Sequence, residues 1–324
     1  MFNGNLRKER YKLAVTIIKE RWTSKVAEES FGASGLKVGG ETTLPFMQFE
    51  GAIPNRAITT LEVFDMAPDG WPAVLEEAWA DVINDPVAWA KKVEALGADM
   101  VTLNLMSAHP DWKNASADEV AKTAKAVADA INIPLMVLGC GVEEKDGAIL
   151  PVVAEALEGK KALIGCATAN NYKSITAAAN GYGHNLIASS PLDINLCKQL
   201  NILISEMGLP LDRIAFDPLV GALGYGIEYA YSIMERARLG ALTGDKTLAT
   251  PIVAFVGTEA WKAKEAKDAD AAEWGPIKDR AILWEVTTAT TFALAGANIF
   301  VLRHPESMNR FKAYIDEAMK SNTY

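Results

Sequence analysis

The residues best placed for chemistry are Asn104, Thr168, Asn170, Asn171, Ser189, Ser190, Asp217 and Glu259, with Glu41 added by the same rule. Each ends or follows a short apolar run, and in a sheet whose strands all point one way such residues gather at one rim. The set is rich in amides and hydroxyls and poor in groups that titrate near neutrality. Asp217 and Glu259 follow neighbouring runs and would either work as acid and base or fix loops through ion pairs. Of the three histidines, His184 precedes its run and belongs at the opposite end. His109 lies in an Ala-His-Pro-Asp turn and His304 before a proline, where loop and capping duties account for both. That is too thin for a metal hydrolase. A Schiff-base lysine is wanted late in a strand, yet Lys37 stands at the start of its run.

Cys140, Cys166 and Cys197 show no C-x-x-C spacing, and three thiols fall one short of the usual four thiolates of an iron–sulfur cluster. Cys140 and Cys166 belong to adjacent strands, where small thiols pack well. No catalytic residue and no metal ligand is assigned. Gly221, Gly224 and Gly226 would let backbone approach a large planar or phosphorylated ligand, with Tyr225 between them. Asp193, near the helix beginning at Pro191, would cap it or hold a ligand amide.

These residues are positioned by alternating elements. Short β-branched or apolar runs at 36–40, 99–105, 134–140, 162–168, 185–190, 213–218, 251–257 and 298–303 alternate with segments of helical period. Eight such units predict a (β/α)8 barrel of α/β class, ligand at the C-terminal mouth. A doubly wound sheet would usually carry G-x-G-x-x-G after the first strand, and none follows here. Asp85-Pro86, Ser190-Pro191 and His304-Pro305 read as helix starts, and Ser116 with Glu119 as a capping box. Gly97, Gly208 and Gly296 read as helix ends.

Outside the repeat lie an N-terminal arm, 1–35, and a long first βα connection, 41–84, with the barrel taken as 36–324. Tyr11, Val15, Ile18 and Trp22 make one helical stripe in the arm, suited to capping the barrel bottom or docking a subunit. The chain has 324 residues, half of them hydrophobic, and a net charge of −9, which disfavours nucleic acid and anionic membranes as partners. Charges are too frequent near the start for a signal peptide, and with the cysteine pattern this predicts a cytoplasmic chain.

Two long stretches add a resemblance. SSPLDINLCKQLNILISEMGLPLDRIAFDP (189–218) and LGYGIEYAYSIMERARLGALTGDK (223–246) closely resemble the small subunit of the corrinoid iron–sulfur protein of the acetyl-CoA (Wood–Ljungdahl) pathway, the CO dehydrogenase/acetyl-CoA synthase delta-subunit family. VGG and LPF near 38–46, VLGCG at 137–141, NYKSITAA at 171–178, VGTEAWKAKEA at 256–266 and LRHPES at 302–307 extend it across the chain. The resemblance implies a barrel whose mouth faces a cobalamin held against a large subunit that alone carries a four-iron four-sulfur cluster.

It further implies a methyl carrier, charged from methyltetrahydrofolate by a separate methyltransferase and discharged at acetyl-CoA synthase, both transient partners. The chemistry then belongs to the cofactor. Expected corrin contacts are Asn104, Cys140, Thr168, Asn170, Ser189, Ser190, Asp193, Gly221, Gly224, Tyr225, Gly226 and Glu259. No D-x-H-x-x-G occurs, the pattern with which flavodoxin-like cobalamin domains offer histidine to cobalt. Asn104-Leu105-Met106-Ser107 departs from the carboxylate-glycine pair of the family, which leaves the contacts there open. Two other readings stay in play: a self-standing pterin-dependent methyltransferase barrel using Asn104 and Asp217, and a structural partner subunit docking through the aromatic 41–84 segment.

Overall fold

The computed structural model describes residues 18–320. Eight parallel strands form the barrel: β3 (Ile58–Phe64), β4 (Met100–Asn104), β5 (Leu135–Leu138), β6 (Leu163–Ala167), β7 (Asn185–Ser189), β8 (Ile214–Asp217), β9 (Val253–Ala254) and β10 (Ile299–Leu302). The hydrogen-bonded order runs from β8 through β3 to β10 and β9. The seam between β8 and β9 is closed by Phe216 N donating to Pro251 O at 2.8 Å. The expected (β/α)8 architecture is what the chain adopts; the run 251–257 is a strand only at Val253–Ala254, since a helix begins at Val256, and two larger corrections follow.

The first concerns the opening strand. Residues Leu36–Val38 form β2, paired antiparallel with β1 (Glu29–Phe31) in a hairpin outside the barrel sheet. The first barrel strand is β3, inside the 41–84 segment expected to be a connection. Its sequence, ITTLEVF, mixes hydroxyls and a carboxylate into an apolar run, yet every position is buried. Those polar groups are matched by neighbouring elements: Thr60 shares a 2.7 Å hydrogen bond with Thr102, and Thr59 donates to Asp99 at 3.0 Å. Buried polar groups are tolerable when paired in this way. Because 36–40 is not a barrel strand, Glu41 is not at the mouth. It is buried at the other end, paired with Arg238 at 3.1 Å and accepting from Asn298 at 2.7 Å.

The second correction concerns Ser190-Pro191. The helix α6 (Ile194–Glu206) begins later, capped by Asp193, which accepts from Asn195 N at 2.7 Å. The other starts hold. Asp85 caps α2 (Pro86–Ala95), Ser116 and Glu119 make the capping box of α3 (Ala117–Ala130), and His304 caps α11 (Pro305–Ala318). The remaining long helices are α4 (Glu143–Ala156), α5 (Tyr172–Gly181), α7 (Ile227–Leu242) and α10 (Ile277–Ala295). Three shorter ones, α1 (Ala73–Trp79), α8 (Val256–Ala260) and α9 (Lys264–Lys267), sit in the connections.

Inward residues of β3 grade from apolar to charged along the barrel axis: Ile58, then Thr60, then Glu62. On β4 the order is Met100, Thr102 and Asn104, apolar to hydroxyl to amide. At the bottom, Phe31 and Val38 of the hairpin pack against Ile58, Met100, Met136, Leu163, Ile187 and Ile299. The hairpin therefore caps the barrel bottom, a role no hairpin was expected to fill. Of the helical stripe expected either to cap that end or to dock a subunit, Tyr11 and Val15 lie outside the described residues, Ile18 is exposed and Trp22 is half-buried. No helix among the described residues is long and apolar enough to cross a membrane.

Candidate functional site at the barrel mouth

Polar layers at the C-terminal strand ends open into a cavity of about 810 Å³. Its floor is built by Asn104, Leu138, Cys166 and Asp217, and its walls include Phe64, Trp71, Trp112, Phe255 and Trp261. A large, mostly apolar cleft with a few convergent polar groups is the usual form of a ligand site.

On one side, Glu62 forms a buried ion pair with the Arg303 guanidinium. Glu62 also accepts from Asn104 Nδ2 at 3.0 Å and Thr258 Oγ1 at 3.4 Å. Arg303 lies 5.6 Å from the Phe64 ring centre and 5.4 Å from that of Trp71, a cation–π stack that holds the side chain flat against the wall. On the other side, Asp217 accepts from Ser189 Oγ at 2.8 Å and from Leu219 N at 2.9 Å. Burial pushes its carboxyl up to about 6 despite those donors, and the nearby Glu259 charge adds to the rise. Asp146, reaching in from α4, accepts from Cys140 N at 2.7 Å and Gly141 N at 3.0 Å, and burial raises it too. A Cβ on Gly139 would come within 2.2 Å of the Asp146 carboxyl, so this turn is closed to larger residues.

Burial pushes the thiols upward: Cys140 to about 11, Cys197 to about 12 and Cys166 well above the ordinary range. At neutral pH all are thiols, not thiolate nucleophiles. His304 is lowered to about 4, chiefly by burial, and its Nδ1 accepts from Glu306 N. His184 sits at the opposite end as expected, between Ala162 N and Ala154 O. Among the described residues no group of three His, Cys, Asp or Glu side chains is arranged to hold a metal.

Of the expected contacts, Asn104, Cys140, Thr168, Ser189 and Glu259 line the cavity. The others lie in loops around it, outside its lining. Asn170 is exposed and donates to Glu143, Ser190 is buried beside Cys197, and Asp193 caps α6. The glycine stretch forms a turn between β8 and α7. Gly226, at φ +86, caps α7, and a Cβ on Gly221 would meet Tyr225 O at 2.4 Å. Tyr225 ties this turn to α9, donating to Glu265 and accepting from Lys264 N, both at 3.0 Å. Asn171 joins the lining, with Oδ1 accepting from Thr168 N at 2.7 Å.

Glu62, Trp71, Asp146 and Arg303 were missed. Glu62 and Trp71 went with the misplaced first strand. Arg303 had a legible signal, since it ends the last run. Asp146 had none, because an acidic residue early in a helix ordinarily reads as solvated.

Residues 29–315 match the family described as CO dehydrogenase/acetyl-CoA synthase delta subunit. The chain belongs to this delta-subunit family. That bears out the resemblance carried by 189–218 and 223–246. Relatives include the acetyl-CoA decarbonylase/synthase complex subunit delta 1 of Methanosarcina thermophila, 39% identical with 89% of this chain and 69% of that one aligned. The subunit delta of Archaeoglobus fulgidus is 36% identical over 89% of this chain and 67% of its own. That of Methanocaldococcus jannaschii is 36% identical over 91% and 72%. The chain thus spans about two thirds of the length of these delta-subunit relatives, between 67% and 72%. Among solved structures, dihydropteroate synthase of Xanthomonas albilineans with 4-aminobenzoic acid superposes at a TM-score of 0.59 with 13% identity, covering 90% of this chain and 100% of that one. The Yersinia pestis enzyme gives 0.55 and 13%, covering 91% and 99%. At such identities the likeness is one of barrel fold.

Proposed function

We propose that this delta-family chain is the small subunit of a heterodimeric corrinoid iron–sulfur methyl carrier, its barrel mouth closing over a cobalamin held against the large subunit. The observation that carries the reading is the family match across residues 29–315, which spans every strand of the barrel and the whole mouth. The mouth has the chemistry a corrin wants. Trp71, Trp112 and Phe255 offer apolar faces, while Asn104, Thr168 and Asp217 offer acceptors to the amide side chains of the macrocycle. When bound, cobalt supplies the nucleophile and the methyl carrier. This chain's residues then hold, orient and exclude water, and none has to attack a bond. The four-iron four-sulfur cluster belongs on the large subunit, and methyltransferase and acetyl-CoA synthase are transient visitors.

The loops around the mouth support a partner there. Leu192 and Leu219 are 46% and 45% exposed, in the left-handed region at φ 31 and 57. Tyr225 and Trp112 are 51% and 40% exposed. Apolar side chains held outward on strained backbone are a common mark of an interaction surface.

The test is a titration of cobalamin and of methyltetrahydrofolate, each added to this chain with and without the large subunit, followed by absorbance. A change in the corrin spectrum only when both chains are present is the expected result. Tight methyltetrahydrofolate binding by this chain alone would replace the proposal with a self-standing pterin methyltransferase.

A further inference from the structure

The hairpin that plugs the barrel contains a carboxyl group with no place for a negative charge. Glu29 of β1 is fully buried, and its Oε1 accepts from Asn185 Nδ2 at 2.7 Å, while among the described residues its Oε2 has no hydrogen-bond partner. Asn185, also fully buried at the start of β7, donates to Ser30 O at 3.1 Å, and its own Oδ1 has no partner. Two side chains already joined by one bond thus carry one orphan oxygen each. A carboxylate only accepts and cannot satisfy an amide oxygen. A protonated carboxyl donates one O–H and accepts one N–H, the complement of a carboxamide. Leaving both oxygens bare in the interior would be costly.

We propose that Glu29 keeps its proton at neutral pH and donates it from Oε2 to Asn185 Oδ1, closing an acid–amide ring that latches the plug to the barrel and opens in alkali. The latch is in a position to matter, because Glu29 is two residues from Phe31, which fills the barrel bottom, and pairs with Val38 across the hairpin.

The charged neighbours oppose one another: Lys161 and Arg213 favour the ionised form, Asp212 disfavours it, and burial outweighs all three. Lys161, ahead of β6, is engaged by Ser30 Oγ at 2.5 Å. Arg213, ahead of β8, donates to the carbonyls of Ala179 and His184. Asp212 is a like charge that further disfavours ionisation, and His184, held below its ordinary range chiefly by burial, adds no cation at neutral pH. Among the described residues Glu29 has no ion-pair partner. Burial accordingly lifts its carboxyl from an ordinary 4.5 to about 8. Between those two values the folded chain holds a proton that the unfolded chain has lost. Stability from this group therefore falls as pH rises through that window and levels off above it.

The experiment compares the full-length chain with Glu29→Gln, an uncharged near-isostere that retains both bonds and cannot titrate. Between about pH 5.5 and about 7.5 the wild-type unfolding constant should rise relative to the variant by close to tenfold per pH unit, one proton's worth. An infrared difference spectrum at neutral pH should show a protonated-carboxyl band in the wild type that is missing in the variant and vanishes in alkali. Parallel pH profiles with no such band would overturn the latch. Should the variant not fold, hydrogen exchange of the wild-type hairpin amides, 29–38, decides. Between about pH 5.5 and about 7.5, acceleration beyond the intrinsic tenfold per pH unit is expected, and acceleration at the intrinsic rate alone across that window would overturn it.

Discussion

Asp217 is held by a hydroxyl and a backbone N–H but, among the described residues, by no cation, whereas Glu62, at the same rim, is neutralised by Arg303. The two carboxylates therefore answer differently to mutation. For Asp217, the rise from 3.8 to about 6 means the folded state favours the protonated form, so stability falls as pH climbs between those values and is flat above. At about 1.4 kcal/mol per pH unit the ionised form costs on the order of 3 kcal/mol. Asp217→Asn should abolish that fall and leave the chain at least as stable at neutral pH, as read from urea midpoints at acidic and neutral pH. For Glu62 the expectation reverses. Arg303→Leu strands a buried charge and should cost about 3–5 kcal/mol, while adding Glu62→Leu should recover most of the loss. Equal losses for the single and double variants in denaturant titrations would contradict this.

At the scale of the element, the hairpin depends on backbone that only glycine accepts. Gly39 has φ +80, and a Cβ there would stand 1.9 Å from Ala27 O, whereas Gly35, at φ +66, has nothing within 4 Å. Gly35→Ala should cost about 1 kcal/mol of left-handed strain, and Gly39→Ala at least about twice that, visible as a larger fall in thermal midpoint. The hairpin was also where the sequence misled. LKVGG has strand composition and ends in glycines, so it read as the first barrel strand. ITTLEVF did not, because Thr59, Thr60 and Glu62 break the apolar run. Only the paired arrangement with Asp99, Thr102 and Arg303 makes their burial tolerable, and such pairing is tertiary. The caps, by contrast, were legible at Asp85, Ser116 and His304 because a cap is a local bond between near neighbours. Ser190-Pro191 failed because Asp193, three residues on, is the better acceptor for helix amides.

For the whole molecule, barrel class and mouth position followed from alternating runs and helical segments, since closure needs only the order of elements. The cavity itself did not follow, because Trp71, Arg303 and Asp146 converge on it from distant parts of the chain. The proposed heterodimer gives a prediction at this scale. Leu192→Asp and Leu219→Asp should weaken binding to the large subunit by about 10- to 100-fold, on the order of 1–3 kcal/mol each. The thermal midpoint of the free chain should hardly move, because both side chains already face solvent; calorimetry of the complex and of the chain alone separates the two effects. The hairpin stopper has a further consequence for traffic. Among the described residues Phe31 and Val38 fill the lower end, so a molecule reaching Asn104 or Asp217 through the mouth has to leave by the mouth. Donor and acceptor of any group carried there cannot queue at opposite ends. They have to take turns, and a non-reactive occupant should block both competitively.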